Sequence, residues 1–76
     1  MAGRQPRLTS DELLRALRQE GWYVSRQSGS HAVLKNALRP GRVVVPRHKG
    51  KTLKAGTLSA ILEQANISPD ELKELL

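Results

Sequence analysis

The 76-residue chain contains no cysteine and no phenylalanine. Without cysteine there are no disulfides and no thiolate metal ligands, a composition that suits a reducing cytoplasm. No apolar run approaches the roughly 18 residues that a membrane span needs. Histidine is also scarce, with only His31 and His48, and neither lies in an HxxxH or HExxH spacing. We therefore expect no metal site and no cofactor. Residues 1–7 are basic but lack an apolar segment, so they do not read as a secretory signal. They read as a flexible lead-in, with one domain over residues 8–76. A domain this short buries roughly 60% of its unfolded surface, enough for one modest core.

The most informative shortage is of acid. Between residues 21 and 62 there is no Asp or Glu, while Arg26, Lys35, Arg39, Arg42, Arg47, Lys49, Lys51 and Lys54 all fall there. The acids Asp11, Glu12, Glu20, Glu63, Asp70, Glu71 and Glu74 stand in the two ends of the chain. Such one-signed crowding adds nothing to stability. A polyanionic partner, most often nucleic acid, explains it. A solvated basic face is the plainer alternative.

Local signals divide the chain into elements. Thr9-Ser10-Asp11-Glu12 fits a capping box, with Leu8 and Leu13 as its hydrophobic staple. Leu13, Ala16 and Leu17 follow at helical spacing, and Gly21 supplies a left-handed stop, so a helix is predicted over 10–20. Residues 22–27 and 31–35 read as strands about a Ser28-Gly29-Ser30 turn. Alternation puts Ala32 and Leu34 on one face, and His31, Val33 and Lys35 on the other. Residues 36–41 contain Asn, Pro and Gly and read as a hairpin connection, followed by a third strand over 42–45 that Pro46 ends. Leu58, Ile61, Leu62 and Ala65 form a second helical stripe, with Asn66 as its stop. Ser68-Pro69-Asp70-Glu71 is a second capping box with proline at the first helical position, opening a short, frayed helix.

The predicted fold is α+β: an α-β-β-β-α two-layer sandwich, like the double-stranded-RNA-binding domain, with a short C-terminal helix. The core candidates are Trp22, Val24, Leu34, Val43 or Val44, Leu58 and Ile61. The third strand is apolar on both faces, so pattern alone does not set its register.

In such a sandwich the first hairpin turn and the start of the second long helix can flank one ligand. Arg26, Ser28, Gly29 and Ser30 would contribute from the turn. Arg47, Lys49, Lys51 and Lys54 would contribute from the approach to the helix, whose free amides favour phosphate. No acid is near these cations in sequence. His31, the residue after the turn, has three readings: a structural histidine, a metal ligand, or a general acid or base. The reaction that suits a histidine in a cationic groove is metal-free RNA cleavage, in which the ribose 2′-OH is the nucleophile and imidazole accepts its proton. Cations stabilise the added charge on phosphorus. His48, Lys49 or Lys51 could protonate the leaving 5′ oxygen.

These residues resemble a known family. The pattern Gly21-Trp22…Arg26-Gln27-x-Gly29-Ser30-His31…Val43-Val44-Val45-Pro46-x-His48…Leu53-x-x-Gly56-Thr57-Leu58…Ile61-Leu62…Ala65 looks like the HicA toxins over about residues 8 to 72. These are small ribonucleases, or mRNA interferases, of prokaryotic HicA–HicB toxin–antitoxin pairs. The resemblance implies a double-stranded-RNA-binding-like fold, cleavage of messenger RNA in the cytoplasm, and a HicB antitoxin that covers the site. It also implies that His31 is the catalytic residue. Many members carry a second histidine or an aromatic after the motif, where this chain has Ala32, Val33 and Leu34. The competing readings are a non-catalytic RNA-binding module and a basic adaptor for an acidic protein.

Overall fold

The computed structural model describes residues 7–76, so the lead-in expected over 1–7 lies, apart from Arg7, outside the described residues. In chain order the elements are α1 (Ser10–Gln19), β1 (Trp22–Ser28), β2 (His31–Asn36), β3 (Arg39–Pro46), α2 (Ala55–Ala65) and α3 (Pro69–Leu75). The strands form one antiparallel sheet in the order β1-β2-β3. This is the expected α+β succession with an added helix, and it is compatible with the double-stranded-RNA-binding arrangement.

Both capping boxes form. The Glu12 amide donates to Thr9 Oγ1 at 3.2 Å, and the Thr9 amide donates to Glu12 Oε1 at 2.9 Å. At α3 the Glu71 amide donates to Ser68 Oγ, and the Ser68 amide to Glu71 Oε1, both at 3.1 Å. The staple residues Leu8, Leu13, Ile67 and Leu72 are all buried. The Thr9 backbone amide, then its hydroxyl, holds the Glu12 carboxyl below the usual glutamate range. A carboxyl held low in the folded state stabilises above its unfolded value, and that contribution is lost as pH falls through the folded value. The stability gap between wild type and Glu12→Gln is therefore expected to narrow on acidification, which thermal melts across pH would read. Thr9→Ala removes the cap itself and is expected to cost about 1 kcal/mol.

α1 closes as predicted. Gly21 takes φ +91°, and an added Cβ would lie 3.2 Å from Asn36 Nδ2. That same amide donates to the Glu20 carbonyl at 2.9 Å, satisfying an end group of the helix from β2. Asn66 takes the left-handed conformation (φ 57°) after α2.

One face of the sheet carries the core. Trp22, Ala32, Leu34, Val43 and Val45 pack against the apolar stripes of α1 and α2 in a single buried cluster. Val43 and Val45 point inward and Val44 is partly exposed, which settles the register that pattern left open. Val24 is only partly buried. The short C-terminal helix is docked on the rest of the fold: Leu72 is fully buried, and Gln19 Nε2 donates to the Leu75 carbonyl at 2.6 Å.

The second hairpin is tighter than expected. β3 begins at Arg39, so only Ala37 and Leu38 connect it to β2. Asn36 Oδ1 accepts from the Leu38 amide at 2.9 Å, and a short polar side chain can close a turn in this way. Pro40 and Gly41 fall where the β2–β3 register shifts, on an edge strand that tolerates a missing donor. Further along that edge, the Val44 amide donates to Gln64 Oε1 of α2 at 3.3 Å.

Candidate functional site

The first hairpin turn is made by Gly29 and Ser30, between the paired residues Ser28 and His31. Gly29 has φ +57° at the first central position, where the tight turns that match strand twist call for glycine. Gln27 Nε2 donates to the Gly29 carbonyl at 3.1 Å and braces the turn.

A β-bulge then decides which side chains face where. Val24 pairs with Leu34 but Arg26 pairs with Val33, so Ser25 is the extra residue in β1. Beyond it, Gln27 shares the inner face with Ala32, while Arg26 and Ser28 share the outer face with Val33 and His31. Bulges commonly re-aim side chains near functional sites. His31 is thus exposed on the open face at the start of the central strand, between Ser28 on β1 and Pro46 on β3. Ala32 behind it is fully buried. Among the described residues the His31 side chain has no hydrogen-bond partner.

Arg47 ties the turn to both neighbouring layers. Its amide donates to the Ser30 carbonyl at 2.6 Å, Nη1 donates to Gln27 Oε1 at 3.3 Å, and Nη2 meets Asp11 Oδ1 at 3.1 Å. Around this junction lies an open cleft of about 450 Å³ lined by Ser10, Asp11, Gln27, Gly29, Ser30, Arg47 and Lys49. The basic loop, with no acid near it in sequence, is thus met by one in space. Asp11 reaches Arg47 because the start of α1 lies against that loop: Thr9 bridges Thr52, and the Leu53 amide donates to the Leu8 carbonyl at 2.7 Å.

The remaining predicted residues divide between two surfaces. Gly29, Ser30, Arg47 and Lys49 share the cleft, whereas Arg26, Ser28 and His31 stand on the sheet's open face, and the turn joins the two groups. His48 is exposed two residues beyond Pro46, the cross-strand partner of His31, and its carbonyl accepts the Lys51 amide at 3.1 Å. Lys51 is exposed in the loop, and Lys54 is the N-cap of α2. That helix starts with no side-chain cap and no acid in its first turn, so among the described residues neither compensates its leading amides. Arg39 serves the fold instead, donating to the Ala65 carbonyl at the end of α2 at 3.0 Å. Ser10, Asp11 and Gln27 were not among the predicted site residues. Gln27 sits within the turn motif, but Asp11 carried only a helix-start signal.

Among the described residues, no three His, Asp or Glu side chains cluster as a metal site would need, and no helix is long and apolar enough to cross a membrane. A family model described as the HicA toxin of bacterial toxin–antitoxin systems matches residues 10–67. The chain belongs to the HicA toxin family. A search of the curated proteins finds no match. The HicA match spans the turn, His31, the cleft and the basic loop, and it stops before α3. Membership of the HicA family makes this chain one half of a toxin–antitoxin pair and implies a cognate antitoxin.

Proposed function

We propose that this toxin is a metal-independent endoribonuclease that cleaves messenger RNA in the cytoplasm, with His31 as catalytic acid/base, and that a HicB antitoxin neutralises it. The observation that carries the reading is the exposed imidazole of His31, beside the first hairpin turn on the open face of the sheet, within a stretch of chain that holds eight Lys and Arg residues and no Asp or Glu. Neutral imidazole takes the proton of a ribose 2′-OH, and the 2′ oxygen attacks the adjacent phosphorus. The P–O5′ bond breaks, and the leaving 5′ oxygen is protonated by a group from the loop that holds His48, Lys49 and Lys51. Arg26, Arg47, Lys49, Lys51 and Lys54 grip the phosphate backbone, with Ser28, Gly29 and Ser30 as the turn that meets it.

The products distinguish this chemistry. RNA is expected to yield 2′,3′-cyclic phosphate and 5′-OH ends, cleavage is expected to survive EDTA, and DNA of the same sequence should stay intact because it lacks the 2′-OH. Mapping the ends by mass spectrometry tests all three. Cleavage that stops with EDTA and returns with Mg²⁺, or that leaves 5′-phosphate ends, would sink the mechanism. RNA that is bound but never cut favours the non-catalytic binding module.

A further inference from the structure

We infer that Asp11 is an internal counter-ion that holds the place of an RNA phosphate on Arg47 and is displaced when RNA docks. The inference rests on the proposed function and adds to it a regulatory residue outside the acid-free window.

Arg47 is held at the cleft by more than Asp11. The hydrogen bond from its backbone amide to the Ser30 carbonyl fixes its backbone beside the turn, and the Nη1 bond to Gln27 still holds the guanidinium when the carboxylate leaves. Asp11 is attached more loosely. It meets Arg47 through one oxygen at 3.1 Å, and the two side chains are 58% and 43% exposed, so water competes for both. Exposed pairs of this kind are weak. A phosphodiester offers the guanidinium two oxygens and a paired, charge-assisted contact in place of a single one. Lys49 and Ser30, both exposed, line the same cleft and add a cation and a hydroxyl for the incoming phosphate. Asp11 is also not needed to start its helix, because Thr9 and Glu12 make the cap. What the carboxylate adds is a negative charge inside a basic cleft. That charge lowers affinity for polyanions and keeps Arg47 occupied until a better anion arrives.

The test measures binding of labelled single-stranded RNA of mixed sequence at fixed low salt, in the His31→Ala background so that nothing is cut. Adding Asp11→Asn is expected to tighten the dissociation constant by about two- to fivefold, the release of one exposed pair. Glu74→Gln, which removes an equal charge on α3, should give a smaller gain. In an Arg47→Ala background the Asp11→Asn gain should shrink to about that of Glu74→Gln, because only the long-range charge effect is left once the competitor has no guanidinium to occupy. Unchanged or weaker binding by Asp11→Asn overturns the inference, as does an equal gain without Arg47. If RNA binds but the gain is missing, only this inference falls. If RNA does not bind at all, it falls together with the proposed function.

Discussion

His31→Ala is expected to lower RNA cleavage by about 10²- to 10⁴-fold, the usual contribution of a positioned acid or base. Growth arrest on controlled expression should disappear with it. RNA binding and the melting temperature should stay close to wild type. His31 is exposed, its side chain has no hydrogen-bond partner among the described residues, and the residue packed into the core beside it is Ala32. Surface substitutions at such positions usually change stability by no more than about 0.5 kcal/mol. Cleavage rates and melts on the same preparation therefore separate a chemical role from a structural one. A variant that still cleaves at a wild-type rate rules out His31 as the catalyst.

Three residues further along the same strand, Leu34→Ala is expected to do the opposite. Leu34 is fully buried at the centre of the sheet, paired with Val24 on one side and Val43 on the other. Truncating a buried leucine removes its transfer energy and leaves a cavity, about 2–5 kcal/mol in total. Domains are stable by only about 5–15 kcal/mol, and a chain this short belongs near the lower end. Urea unfolding should show a large drop in midpoint, and activity should fall only as far as the folded population falls. A loss below about 1 kcal/mol would mean that the inner face collapses around the gap more readily than close packing allows. His31 and Leu34 thus lie on opposite faces of the strand, the first exposed at its start and the second buried in the core.

Much of the fold was legible in the sequence because the signals were local. Each capping box joins residues three apart, and the stops at Gly21 and Asn66 depend on a single backbone conformation. The helical stripes follow the 3.6-residue period. The second hairpin misled because Pro40 and Gly41 usually mark loops, whereas an irregular edge strand absorbs both. The packing of α3 was not legible because seven residues are too few to be a stable helix in isolation, and Leu72 is buried in a core built by other elements.

The candidate site shows the same division. Composition by itself determined that residues 21–62 hold eight Lys and Arg residues and no Asp or Glu, and that the chain has two histidines and no cysteine. Strand alternation from the turn set His31 opposite Ala32, since neighbouring side chains point to opposite faces. Only the tertiary structure decided how the basic residues are shared out. The Ser25 bulge sends Gln27 inward and Arg26 outward, an outcome set by cross-strand pairing rather than by local pattern. The Asp11–Arg47 contact spans 36 positions of chain. No periodicity or propensity reaches that far: the pair meets because the start of α1, the end of β3 and the first hairpin turn come to one end of the sandwich once the core has formed.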